Sequence, residues 1–279
     1  MPACLNAHEA PFVRPRRLGR LEPMTFPADL PAQLAGLLPT LVGVMLLLAV
    51  VVTVLRGYRT QHPFAPALAL LRGTLQLAAI SLILSGIIND PLWVGVGLLV
   101  MFAAAVGTVA RRIGFNRRHL VRVAAAMGLG VVVTLTIVFT TGAIEFSPRY
   151  VLAIGGIVIG NAMSIATLSG RRFTEAVGDH WDEVEGWLAL GATPSQSTRE
   201  LARQAVYFAI IPSTDQTKTT GLVTLPGAFV GALFGGASPL EAGRFQIVVL
   251  AGILCAGSIA AVTLLHLVGP VRQKPVPTV

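Results

Sequence analysis

Long stretches of this chain contain almost no charge, and that feature constrains the fold more than any other. Residues 34–55 carry none, 64–110 carry only Arg72 and Asp90, and 123–170 carry only Glu145 and Arg149. About 20 apolar residues in a helix are enough to span the hydrocarbon core of a bilayer. Lipid offers the backbone no hydrogen-bond partners, so spanning segments must be helices or a closed barrel. Continuous apolar runs, rather than two-residue alternation, select helices. The charged share is 12%, where a soluble domain has roughly a quarter, and the mean hydropathy is +0.73. The fold class read from these facts is an all-α polytopic membrane protein.

Seven spans are expected, at about 34–55, 64–88, 91–110, 124–143, 150–169, 219–237 and 246–268. Turn signals at Asn89-Asp90-Pro91, Ser147-Pro148 and Ser238-Pro239 separate several of them. Basic loops alternate with neutral ones. Arg56 and Arg59 lie in the loop at 56–63, and Arg111, Arg112, Arg117, Arg118 and Arg122 in the loop at 111–122. Arg171-Arg172 follow the fifth span. The positive-inside rule places these loops in the cytoplasm, with the N-terminus outside and the C-terminus inside. The expected location is the plasma membrane, the inner membrane of a bacterium. Residues 1–33 form a basic tail, expected to be disordered, whose Arg14, Arg16, Arg17 and Arg20 oppose that orientation. Either the tail is real or translation starts at Met24. Residues 34–279 form the transmembrane domain, with one polar insert at 171–218. The net charge of +8 follows membrane topology and does not form a basic groove for nucleic acid. Cys4 and Cys255 stand far apart and make no metal-binding pair.

The insert is the most informative segment. Val177, Trp181, Val184 and Leu188 recur at helical spacing, so 174–190 reads as one amphipathic helix with Glu175, Asp179, Asp182, Glu183 and Glu185 around it. Gly191 suits a left-handed cap and Pro194 discourages continuation. Such a helix, with Trp181 and Trp187 as anchors, suits docking into a groove on a soluble partner. The competing reading is a helix on the bilayer surface, but an acidic face disfavours contact with anionic lipid. The stretch 199–212 is too short in its apolar part to span and is expected at the cytoplasmic surface, leading into the sixth span.

Within the spans, Arg72 and Gln76 share one helix face and are candidates for a polar pathway. Alternatively, Arg72 snorkels to the headgroups. Asn161, in mid-span, bonds either a substrate or a neighbouring helix. Gly156-x-x-x-Gly160 and Gly227-x-x-x-Gly231-x-x-x-Gly235 are small-residue stripes for close helix packing or for a moving surface. Pro226-Gly227 should break the sixth span and act as a hinge. No Asp or Glu falls deep in an expected span, which counts against proton coupling. There is no GxxxxGK[ST] loop, so this chain is not expected to hydrolyse ATP, and no catalytic set for an enzyme is visible.

The segments L-R-G-T-L-Q-L at 71–77, I-G-N-A-M at 159–163 and E-G-W-L-A-L-G-A-T-P at 185–194 occur in order. They are followed by Ile211-Pro212, Lys218 and G-L-V-T-L-P-G at 221–227, then Gly235-Gly236 and Phe245-Gln246. Together, over about residues 34–270, they resemble the FetB-type family of ABC-transporter permeases, to which plant aluminium-tolerance half-transporters also belong. The resemblance implies a homodimeric permease paired with a separate ATP-binding subunit that holds ATP and Mg, with no cofactor on this chain. It implies export of iron or a related metal or small solute. It also adds Met163 to the pathway candidates, and gives Trp181, Glu185, Leu188 and Gly191 the role of coupling to the ATPase. The rival class is an ATP-independent channel or a secondary transporter. The topology is checked with Asn116→Cys and Ser147→Cys, which should label from opposite faces of the membrane. Labelling from the same face would contradict the seven-span topology.

Overall fold

Four polar-residue–proline pairs in the sequence start helices. Proline at the first helical position lacks only an N–H that would be unpaired anyway, and its φ is already helical. Asp90 accepts from the Leu92 amide at 3.0 Å, and Ser147 accepts from the Tyr150 amide at 3.4 Å. Ser238 and Glu241 cap each other's backbone N–H groups at 3.3 and 2.9 Å. The fourth pair is Thr193-Pro194. In the computed structural model, which describes residues 30–87, 90–114 and 117–275, these starts divide the chain into ten helices. They are α1 (Leu30–Gly57), α2 (Ala65–Ile87), α3 (Pro91–Arg112), α4 (Arg117–Thr140) and α5 (Pro148–Asp179), then α6 (Trp181–Ala189), α7 (Pro194–Ser197), α8 (Arg199–Thr219), α9 (Gly227–Phe234) and α10 (Pro239–Val268). Among the described residues there is no strand, only an isolated bridge between Thr220 and Thr224. The tail through residue 29 lies outside the described residues.

Contacts divide the chain into two units, residues 1–79 and 80–279. In the first, α1 is apolar on all sides, as a lipid-facing helix is. Its end is fixed by the Arg56 guanidinium, 4.9 Å from the centre of the Phe64 ring. In the second unit, α10 packs on both α4 and α5, α3 closes on α5, and α8 lies against α5 and α10. Val109, Val123, Met127, Ile154, Val158, Ala256, Ala260 and Leu264 are buried between them.

Between α4 and α10, backbone meets backbone. Ala126, Gly130 and Thr134 on α4 and Gly252, Ala256 and Ala260 on α10 are all buried, and each set repeats every four residues. Small residues at that spacing let backbones come close when no hydrophobic effect drives helices together in lipid. A Cβ on Gly130 would lie 2.5 Å from the Ala256 carbonyl oxygen. One on Gly155 would lie 2.8 Å from Leu98 of α3, and one on Gly170 2.7 Å from Ile113. At the end of the bundle that carries the arginines, Arg171 Nε donates to the Arg112 carbonyl at 3.3 Å. The buried Thr198 hydroxyl donates to the Gly269 carbonyl at 2.7 Å.

Among the described residues, five helices are long and apolar enough to cross a membrane: Leu38–Gly57, Pro91–Arg112, Arg117–Thr140, Pro148–Asp179 and Pro239–Val268. The second expected span corresponds to α2, 23 residues long. The sixth, at 219–237, is not one helix. Its residues form the end of α8, a turn with Gly221 at φ +91°, and the eight-residue α9, about 12 Å long. The helix expected at 199–212 continues instead to Thr219, packed on α5 and α10. The single amphipathic helix expected at 174–190 is divided at His180, because α5 continues through Asp179 before α6 begins.

If the α4–α10 approach is backbone on backbone, Gly130→Ala should lower the melting temperature of the detergent-solubilised protein. The expected loss is about 1–3 kcal/mol, the range for overpacking. Gly107→Ala has open space around it and should be neutral or gain up to about 1 kcal/mol from helix propensity. Equal melting temperatures for the two variants would overturn the assignment.

Candidate functional site

The insert builds a small module on the basic end of the bundle. Trp181 is half-buried against the cluster of Phe173, Val177, Ala205 and Leu265, so it ties α6 down to α5, α8 and α10. Val184 is buried and Leu188 half-buried on the same side. Asp182, Glu183, Glu185, Trp187 and Leu190 are exposed on the other side. Glu185 therefore sits on a free acidic face, next to two apolar side chains directed outward.

Gly191 closes α6 in the left-handed conformation at φ +92°. Its N–H donates to the Leu188 carbonyl at 3.0 Å, and the Ala192 N–H reaches back to the Trp187 carbonyl at 3.0 Å. That pair of bonds is a Schellman motif, which uses up carbonyls left over at a helix end. The chain then turns through Thr193, whose N–H donates to Gln196 Oε1 at 2.8 Å, into α7 and the buried Thr198. Acidic face, firm cap and anchored base thus form one continuous stretch from α5 to α8.

The other candidates lie on α2, α5 and α9. Arg72 and Gln76 lie one turn apart on α2, exposed, in the first unit. On α5, the Asn161 side-chain amide donates to the carbonyl of Ile157, one turn back on its own helix, at 2.9 Å. Met163 packs beside the main core. Two residues along a helix are about 200° apart around its axis, so Asn161 and Met163 face different ways. A Cβ on Gly156 would approach Met101 to 3.1 Å, whereas Gly160, Gly227 and Gly231 have open space, and Gly235 faces only its own helix end. The close contacts within the chain are made by Gly130, Gly155, Gly170 and Gly257, which the G-x-x-x-G stripes do not include. Pro226 caps α9 just before Gly227, where the helical path between α8 and α10 is broken.

Sequence reasoning missed the outer half of α8. Ile165, Ala209 and Ala261 pack together, so Ala209 is inside the apolar depth of α5 and α10. Beyond it come Asp215 and Lys218, paired at 3.2 Å with side chains 60% and 69% exposed. Asp215 lies outside the seven expected spans, on α8, six residues beyond Ala209 and so about 9 Å further along the helix axis. The signal was present in the sequence as S-T-D-Q-T-K-T-T at 213–220, directly after Pro212. Among the described residues no group of three or more His, Cys, Asp or Glu is placed to hold a metal ion.

The profile of the family described as "Uncharacterised protein family (UPF0014)" matches residues 38–270. The chain belongs to this family. The UPF0014 membrane protein STAR2 of Oryza sativa subsp. japonica is 35% identical over 208 residues, 72% of each chain. Protein ALUMINUM SENSITIVE 3 of Arabidopsis thaliana is 34% identical over 205 residues, 71% of this chain and 74% of its own. The probable iron export permease protein FetB of Escherichia coli is 32% identical over 172 residues, 61% of this chain and 66% of its own. No solved structure matches. Membership covers both the bacterial permease and the plant proteins of the resemblance, and the shared region contains the insert and α8.

The cap makes its own prediction. Left-handed backbone costs a residue with a Cβ roughly 1–2 kcal/mol, and more when it is β-branched. Gly191→Val should therefore loosen α6 and speed proteolysis between His180 and Thr198, while insertion of the spans remains normal. Gly191→Asn should be cut at the original rate. Unchanged cleavage of the valine variant would show that the cap does not hold α6.

Proposed function

We propose that this chain is the membrane-spanning permease subunit of an ABC-type transporter. It works as a homodimer with two copies of a separate subunit that binds ATP and Mg²⁺, and it performs no chemistry of its own. The observation that carries this reading is α6: an acidic, exposed, capped helix at the basic end of the bundle, joined directly to α5 and wedged by Trp181. A helix so held transmits a push from a bound partner into α5, whereas a helix loosely laid on lipid does not. The cargo is proposed from the E. coli relative, named a probable iron export permease: iron or a related metal or small solute, moved outward across the bacterial inner membrane.

Seven crossings fit this reading if α8 and α9 together make one broken crossing in addition to α1, α2, α3, α4, α5 and α10. Arg112 at the end of α3 and Arg171, about two turns before the end of α5, meet in one hydrogen bond, which favours one basic, cytoplasmic end with the C-terminus on the same side. Arg72, Gln76, Asn161 and Met163 remain candidates for the pathway, with Pro226 and Gly227 at the break.

A secondary transporter is the second reading, and Asp215 is the observation in its favour, since proton-coupled carriers use carboxylates at depth. The two differ in what drives them. Transport into inverted vesicles should require the partner ATPase and ATP. Glu185→Lys should lower co-purification of the ATPase at least fivefold, because its exposed carboxylate is expected to meet basic groups. Transport that persists without the ATPase and follows an imposed pH gradient would replace the ABC reading with the secondary-transporter one.

A further inference from the structure

The depth of each helix in the second unit can be read from its contacts. On α4 and α10, Gly130 meets Ala256 and Thr134 meets Gly252, which in turn meets Val158 of α5. Further toward the basic end, Ile165 of α5 and Ala261 of α10 enclose Ala209 of α8. Beyond that, Phe173, Val177 and Leu265 enclose Ala205. α8 therefore runs antiparallel to α5 and α10, and each residue after Ala209 climbs about 1.5 Å toward the opposite end. Gln216 comes level with Val158 and Leu254. The α5 side of that level is the uncharged stretch 150–170, and Gln216 lies roughly 20 Å from the level of Arg171. It lies about 14 Å from the level of Arg149 on the other side, so it falls near the middle of the uncharged stretch, which a hydrocarbon core about 30 Å thick would cover.

At this depth α8 is polar where its neighbours are apolar. Asp215, Gln216 and Lys218 are exposed. The hydroxyls of Thr214, Thr217, Thr219 and Thr220 each donate to a carbonyl one turn back, at 3.1, 2.8, 3.0 and 2.7 Å. Their protons are thus spent within the helix, and their oxygens remain as acceptors. Pro212 has no N–H to give the Phe208 carbonyl, which leaves one more acceptor at the start of the polar run. Thr220 to Pro226 then leave the helix altogether. Irregular backbone and charge at membrane depth are tolerated only inside protein or along water.

We propose that the polar half of α8, from Pro212 to Thr220, lines a water-filled solute path at mid-membrane, with the Asp215–Lys218 pair as its charged contact. This deepens the permease reading and rests on it. One carboxylate, one ammonium and a row of hydroxyl acceptors suit a hydrated or complexed ion, or a polar hydrogen-bonding solute. They do not supply the several ligands that would strip and grip a bare metal cation. The Asp215–Lys218 pair is neutral in sum, so it admits such a solute without holding it by net charge.

Cysteine accessibility decides the proposal. In full-length protein with Cys4→Ser and Cys255→Ser, Gln216→Cys and Thr220→Cys are exposed in native membranes to a charged, impermeant methanethiosulfonate. Val132→Cys is the control: Val132 is exposed on α4 between Gly130 and Thr134, at the depth of Gln216. Gln216→Cys and Thr220→Cys should react at least tenfold faster than Val132→Cys, and modification should abolish transport. Two reporters guard against a folding loss at either position. Rates equal to that of Val132→Cys would overturn the proposal, whether a second copy, another part of this chain or lipid covers the face. Fast labelling that leaves transport intact would overturn it too, since the face would then be wet but off the path. Unlabelled protein is assayed in parallel for ATPase-dependent transport. Its failure there would count against the permease reading, while the labelling rates would still report whether α8 meets water.

Discussion

Everything in the 80–279 unit depends on how closely α4 can approach α10. In lipid, one apolar surface gains little by leaving another, so helices associate through close packing of backbones. Gly130 against the Ala256 carbonyl, with Ala126, Thr134, Gly252 and Ala260 above and below, is where this chain achieves it. That contact fixes the relative height of α4 and α10. The Gly252–Val158 and Gly257–Ile165 contacts then fix α5 against α10, and α8 takes its height from Ile165 and Ala261. The depth of every polar group in the unit follows from a few small residues.

Much of this was legible in the sequence, and the errors share a cause. Charge-free runs located α1, α3, α4, α5 and α10 because each crossing there is one continuous helix of mostly apolar residues. The polar-proline pairs marked helix starts because a side-chain cap and a fixed φ act locally, without help from packing. The break expected at Pro226-Gly227 is where α9 starts, but the turn before it was not visible, because hydropathy averages over side chains and is blind to the path of the backbone. Leu222, Val223 and Leu225 are apolar, yet Gly221 at positive φ and Pro226 interrupt any helix through them. Conversely, the polar half of α8 lowers its mean hydropathy, although Ile165 and Ala261 pack on its Ala209. Local composition alone does not reveal a helix that is polar where its neighbours are apolar.

The glycine stripes show the same limit in another form. G-x-x-x-G is a signature of close approach, but Gly160 and Gly231 face open space within the chain. The α4–α10 approach instead uses alanine and threonine beside a single glycine on each helix. What matters is the absence of bulk on both facing surfaces at once, and a pattern on one helix cannot show what faces it. Ala256 and Ala260 gave no warning because alanine is also the commonest neutral filler of an apolar helix.

The module around α6 was more readable, since its evidence is local. A residue with φ near +90° at a helix end is nearly always glycine, so Gly191 declared its own conformation, and the acidic face of α6 follows from helical spacing. Only the break at His180 escaped, because 177, 181, 184 and 188 keep helical spacing across it. The break has a mechanical consequence. Were α5 and α6 one rod, a push on Glu185 would swing the whole of α5 against the tight α3 contacts at Gly155 and Gly170. With a joint at His180, the push passes first through Trp181 into Phe173, Val177, Ala205 and Leu265, where α5, α8 and α10 meet. Of these helices, α5 and α10 are locked to each other and to their neighbours through glycine contacts. α8 carries no glycine between Arg199 and Thr219, has Pro212 within it, and ends in irregular backbone. α8 is thus the one of the three helices meeting at Trp181 whose packing includes no glycine contact of its own, and it is also the one that carries Asp215, Gln216 and Lys218.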